Sequence, residues 1–200
     1  MSKSLMTLPS PRINSQVSLE TAIAQRCPVG PYAEEQLTGE QIGQLLWAAH
    51  TGASIHKGKG TKGSTWLILY VCRTDGVWRY HTQQHCLTRH LNRDVRGELA
   101  HAARNRWFLA RAPCVLAISA VPKRDAERYG ERWQLRYLPI EAGRAVERTL
   151  LQATALGLAS VPVTEFDDAR VSHVLILSRQ ETPLYLLSVG WPAQGDWLEQ

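Results

Sequence analysis

Three histidines and a cysteine fall close together in the chain: His81, His85, Cys86 and His90. Neutral imidazoles and a thiolate hold zinc when they converge tetrahedrally. Here the spacing straddles a strand end and a loop, and no second ligand pair stands elsewhere at motif spacing. Ordinary surface and turn histidines are therefore expected, and no metal. Gly58-Lys-Gly-Thr-Lys-Gly63 matches the G-x-G-x-x-G dinucleotide pattern letter for letter. That pattern needs a strand before it and a helix N-terminus after it to face a pyrophosphate. The order here is reversed, so a Rossmann site is not expected, although Lys57, Lys59 and Lys62 in the His56–Gly63 loop remain available to a phosphate as point charges. Glu165, Asp167 and Asp168 cluster, but acids are electrostatically favoured at a helix start, and acid–base work by this trio is the lesser expectation. No Ser-His-Asp or Cys-His nucleophile has a local signature.

The elements that must position these groups follow from patterning. Residues 1–17 carry Pro9 and Pro11 and few bulky apolar groups, which predicts an extended arm. Residues 18–200 form one domain. Ser18 caps a short helix to Arg26, with Glu20 in its first turn. Thr38 and Gln41 make a capping box for a helix that puts Ile42, Leu45, Leu46 and Ala49 on one face. Thr65 to Cys72 reads as a buried strand, turned at Asp75-Gly76 into Val77–His81.

Helical patterns follow at about 93–103 and 105–111, then a buried strand from Cys114 and a charged helix reaching Tyr129. Pro139 suits the first turn of a long helix. Its apolar residues Ala142, Ala145, Val146, Thr149, Leu150, Ala153 and Leu156, widened by Leu151 and Leu158, predict burial on several sides. That helix ends at Gly157. A short strand, a helix opened by Phe166-Asp-Asp168 and a last strand, Leu184–Val189, complete the chain. The class is α+β, with a small, partly antiparallel sheet flanked by helices.

Composition narrows the function. The net charge is +5 and 44% of residues are hydrophobic, ordinary for a globular domain. No apolar run is long enough for a bilayer, no secretory leader is apparent, and the four cysteines lack Cys-x-x-Cys spacing. Reduced thiols in a cytoplasmic protein are expected. Residues 89–148 hold twelve arginines and one lysine against seven acids. The acids are interleaved and stacking platforms are missing, so solvated helix faces are expected here and not a nucleic-acid surface. Of seven tryptophans, Trp66, Trp78, Trp107 and Trp133 fall on apolar faces and read as core, while Trp191 and Trp197 suit core or interface burial.

The run from Glu141 through Gly157 to Val161-Pro-Val-Thr-Glu-Phe166, closed by Leu187-Ser-Val-Gly-Trp-Pro192, resembles the flavin-dependent nitroreductase superfamily. Gly76-Val-Trp-Arg-Tyr80 with His85 and Leu87 is similar to its SagB-type dehydrogenase branch. The likeness extends from Val17 to Pro192. It implies a nitroreductase-like fold, a central mostly antiparallel sheet flanked by helices in an intertwined homodimer, with FMN at the subunit interface. It also implies hydride exchange in a ping-pong cycle, from NAD(P)H through the flavin to a small-molecule or peptide-derived acceptor.

By the same likeness, Arg26 takes the first position of the segment that grips the FMN phosphate, where Cys27, Pro28 and Gly30 replace the other gripping residues. Thr61, Lys62, Gly63 and Ser64 occupy the loop that touches flavin and phosphate. Val163, Thr164 and Glu165 occupy the stretch whose N–H groups face flavin N5, the latter two replacing the usual Glu-Gly. Tyr129 matches a catalytic tyrosine of peptide azoline oxidases, its lysine companion being Arg128 here. The alternative reading is a flavin-free member of the fold acting as a binding or scaffold protein in a peptide-modifying complex.

Overall fold

The structure, a computed structural model, describes residues 4–26, 31–51, 67–121 and 136–193. Its strands are β1 (Leu5–Thr7), β2 (Leu67–Arg73), β3 (Gly76–His81), β4 (Cys86–Leu91), β5 (Cys114–Ala120), β6 (Ala159–Val163) and β7 (Thr182–Gly190). Its helices are α1 (Leu19–Gln25), α2 (Gly39–His50), α3 (Arg96–Ala102), α4 (Trp107–Arg111), α5 (Leu138–Ala155) and α6 (Asp168–Val174). Among the described residues the strands form one sheet in the order β1-β4-β3-β2-β5-β7-β6. Every pairing between them is antiparallel.

Successive side chains of a strand point to opposite faces. Leu69 and Val71 therefore join the cluster under α2 and α5, while Tyr70 and Cys72 join the one under α3, α4 and α6. A strand covered on both sides has no polar face to show, which is why β2 reads as an unbroken apolar run. The same alternation separates Cys72 from Cys114: they lie in different clusters, on opposite faces of the sheet. Burial pushes both thiols up, Cys114 to about 12, which leaves them unreactive.

Local signals place the helices. The Ser18 hydroxyl accepts from Thr21 N at 3.1 Å, and the Thr38–Gln41 capping box is complete, with bonds of 2.9 and 3.2 Å. At its other end α2 is closed by α5, where Arg148 donates to the carbonyls of Ala48 and Ala49 at 2.9 Å each. Helix α5 ends in a Schellman motif: Leu158 N reaches Ala153 O and Gly157 N reaches Thr154 O, with Gly157 at φ +73°.

Five sequence expectations change. The arm is more than extended: Leu5–Thr7 adds an edge strand to β4, Leu8 is buried, and Gln44 bonds both the N–H and the C=O of Arg12 at 2.9 Å. Cys86–Leu91, which overlaps the histidine stretch, is a strand, β4, with Arg89 and His90 interrupting its apolar pattern. The sheet is seven-stranded, not small. Trp107 is 54% exposed and not core. Helix α5 is buried along one face, Leu138 to Ala153, with Leu151 and Leu156 only half covered and Ile140 exposed.

Candidate functional site

Strand β6 is the sheet's last strand; its outer edge carries no partner among the described residues. The chain leaves that edge at Val163, which is buried, and passes through exposed Thr164 and Glu165 into α6. A backbone bond fixes this loop against the far end of α3, and an exposed ion pair crosses beside it. Asp167 N donates to Ala102 O at 2.9 Å, and Arg106, in the turn between α3 and α4, pairs with Glu165 at 3.0 Å. Neither Thr164 nor Glu165 has a left-handed φ; among the described non-glycine residues only His85, Arg104, Asn105 and Ile176 do. The backbone therefore makes no demand for glycine at this loop.

The acidic trio does not converge. Glu165 is taken by Arg106, and Asp167 caps α6 by accepting from Arg170 N at 2.9 Å. Asp168 simply opens that helix.

At the other end of β6, Ala159 pairs with Gly190, and the chain beyond Gly190 meets Tyr32 in a bridge to Pro192. The Tyr32 hydroxyl is 2.7 Å from Ser188 Oγ, and burial pushes it up to about 12. The Trp191 indole N–H is buried with no acceptor among the described residues, a donor left over beside this junction. Arg26 lies over α5 instead, 3.5 Å from Glu147, both side chains well exposed. Exposed pairs of this kind contribute little and exchange partners readily. Arg26 and the Val163–Glu165 loop thus belong to separate parts of the surface, joined by no described contact. Thr61, Lys62, Gly63, Ser64, Tyr129 and the Cys27–Gly30 segment lie outside the described residues.

The histidine cluster is a set of clasps. His85 Nδ1 is 2.8 Å from Tyr80 Oη and its Nε2 is 2.9 Å from Pro9 O, tying the arm to the β3–β4 hairpin. His81 meets Thr88 Oγ1, and His90 meets Leu175 O at 2.7 Å. Among the described residues no group of three or more His, Cys, Asp or Glu could hold a metal ion. The central arginines are mostly paired or stacked: Arg96 grips Asp94 through two nitrogens, Arg93 pairs with Glu98, and Arg89 lies 3.9 Å over the Trp78 ring. Sequence reasoning missed Arg106 altogether, because nothing in the chain links residue 106 to residue 165 before folding.

Among the described residues the fold is a seven-stranded antiparallel sheet between two helical layers. It superposes on a presumed nitroreductase from Ralstonia eutropha with a TM-score of 0.81 over 96% of this chain and 90% of that one, at 23% identity. An NADH dehydrogenase/NAD(P)H nitroreductase from Parabacteroides distasonis gives 0.63 over 89% of each chain at 17% identity. In sequence, the chain is 35% identical over 185 residues to the presumed nitroreductase MJ1384 of Methanocaldococcus jannaschii, covering 88% of this chain and 91% of that protein. The nitroreductase family pattern matches residues 23–191. The chain belongs to the nitroreductase family. No helix among the described residues is long and apolar enough to cross a membrane.

Proposed function

We propose that the protein is an FMN-dependent oxidoreductase that takes hydride from NAD(P)H and passes it to a small-molecule or peptide-derived acceptor in a ping-pong cycle. The observation that carries this reading is the clamped Val163–Glu165 loop at the free edge of β6. In this reading the stretch faces the flavin, and neither Thr164 nor Glu165 has the left-handed backbone that would call for glycine there. The orphaned Trp191 donor at the opposite end of the same strand also suits a ligand rich in acceptors. The residues present therefore fit the cofactor.

When bound, FMN supplies the two-electron carrier between nicotinamide and acceptor. The protein's part is to hold and orient. Val163, Thr164 and Glu165 would line the flavin's N5 edge, and the bond from Asp167 N to Ala102 O keeps that loop in place. Arg26, Thr61, Lys62, Gly63 and Ser64 grip phosphate and ring, Arg26 by exchanging Glu147 for the phosphate. Tyr129 donates a proton to substrate.

Two copies complete the site as a homodimer. Leu19 and Ile23, four residues apart on one face of α1, are 61% and 58% exposed and offer apolar surface for a second copy. The SagB-type assignment is the weaker part of the reading. Trp78, Tyr80, His85 and Leu87, which carry that likeness, are spent here on core packing and on the arm clasp.

The test is the visible absorption spectrum of the purified protein before and after addition of excess FMN. A bound-flavin spectrum that bleaches with NADH or NADPH is the expected result. A colourless protein that leaves the FMN spectrum unperturbed refutes the oxidoreductase.

A further inference from the structure

A shallow cleft of about 410 Å³ runs between α3 and α6, lined by Glu98, His101, Ala102, Asp167, Arg170 and His173, among others. Its position is fixed by the loop just described. The Asp167 N–Ala102 O bond joins its two walls, and Asp167 lies only two residues beyond Glu165. Both acids of the cleft are already engaged: Glu98 pairs with Arg93, while Asp167 accepts from Arg170 N and pairs with Arg170 Nε at 3.5 Å.

The imidazoles of His101 and His173 have no partner among the described residues, and Arg170 holds Asp167 through Nε only, leaving its terminal nitrogens to solvent. Uncommitted nitrogen donors thus face one space from two helices, over a small apolar floor formed by Ala102 and Val174. Such a set suits a ligand with a flat apolar part and a terminal phosphate monoester, whose three oxygens and near-double charge take several donors at once. A phosphodiester within a bridging pyrophosphate presents fewer free oxygens.

Resting on the reading of the β6–α6 loop as the hydride-transfer edge, we propose that this cleft receives the adenosine end of the reductant. His101, Arg170 and His173 bind its 2′-phosphate, so the enzyme uses NADPH in preference to NADH. No residue of the set touches the reacting atoms; they determine specificity. Of the two nicotinamide dinucleotides, only NADPH carries the monoester the donors require.

The experiment titrates the purified protein, with or without flavin, with adenosine 2′,5′-bisphosphate and separately with NAD+, which carries no phosphate monoester. Histidine ring proton resonances and calorimetry are the readouts. Adenosine 2′,5′-bisphosphate should shift two histidine signals and bind about tenfold or more tighter than NAD+. The variant H101A/R170A/H173A, altered only at exposed positions, should lose that difference while retaining its melting temperature. In turnover it should raise the KM for NADPH about tenfold to hundredfold, leaving NADH and kcat nearly unchanged.

Equal binding of the two nucleotides by the wild type, or equal losses for NADH and NADPH in the variant, overturns the proposal. Displacement of the bisphosphate by 4-nitrobenzoate, which would mark the cleft as an acceptor site, overturns it too. A protein that binds the bisphosphate but never takes up FMN sinks the flavin reading and leaves the cleft's chemistry standing.

Discussion

Replacing Gly190 with alanine isolates what holds the two ends of the candidate site in register. Gly190 ends β7, pairs with Ala159 and leads directly into Trp191 and Pro192. A methyl group built at Gly190 lies 2.5 Å from Pro113 Cδ, 2.9 Å from Pro113 Cγ and 2.9 Å from Tyr32 Cδ1. Ordinary carbon contacts begin near 3.5 Å, so the overlap approaches 1 Å against a proline ring that cannot rotate away. Gly190 has no left-handed φ, so the whole penalty is steric.

Overpacking of this kind costs about 1–3 kcal/mol. For a domain of this size each kcal/mol lowers Tm by roughly 2–4 °C, so G190A should melt about 2–12 °C lower. Because one of the three contacts is Tyr32, its bond to Ser188 should loosen as well. The phenol, held up at about 12 by burial, should then titrate closer to its ordinary value. Differential scanning calorimetry and ultraviolet difference titration of tyrosine measure the two effects. A Tm within 1 °C of wild type with an unchanged tyrosine titration would refute the argument, since the proline and the tyrosine could then move freely.

Helix α6 ends in the same Schellman arrangement as α5, with Leu177 N to Ser172 O and Ile176 N to His173 O, but its left-handed position is filled by Ile176 at φ +50°. A β-branched residue there is strained by about 1–2 kcal/mol, partly offset by the entropy glycine loses on folding, so I176G should gain about 0.5–1 kcal/mol in urea unfolding. A lowered midpoint would contradict this. Burial raises the Asp94 carboxyl, but hydrogen bonds from the Arg96 side chain and N–H, together with its charge, outweigh it and leave the pKa below the ordinary value. A depressed carboxyl contributes stability that is present above its unfolded pKa near 3.9 and is lost as pH falls through the folded one. The group is 39% exposed, so D94N should cost about 1 kcal/mol or less at pH 7, and should flatten the fall in stability below about pH 4. A pH profile parallel to wild type would count against it.

The sequence by itself determined what is local or periodic. Ser18, Thr38, Gln41 and Gly157 act on neighbours a few residues away, so caps and helix ends were legible before folding. The two-sided burial of β2 and β5 was legible too, because an unbroken apolar run is the mark of a covered strand. Family membership travelled with words such as Ser188-Val-Gly-Trp-Pro192.

What only the tertiary structure decided are contacts between residues far apart in the chain. The histidines of the β3–β4 hairpin, His81, His85 and His90, are spent on clasps to Thr88, Pro9 and Leu175, and those carbonyls and hydroxyls are invisible to a hydropathy pattern. The arm becomes a strand because Gln44 and β4 offer it partners. The same cause governs the candidate site. Arg106 and Glu165 are 59 positions apart, yet they meet beside the loop from which the chemistry is read. A salt bridge of that span leaves no periodicity in the chain; it exists only once folding has brought α3 beside α6.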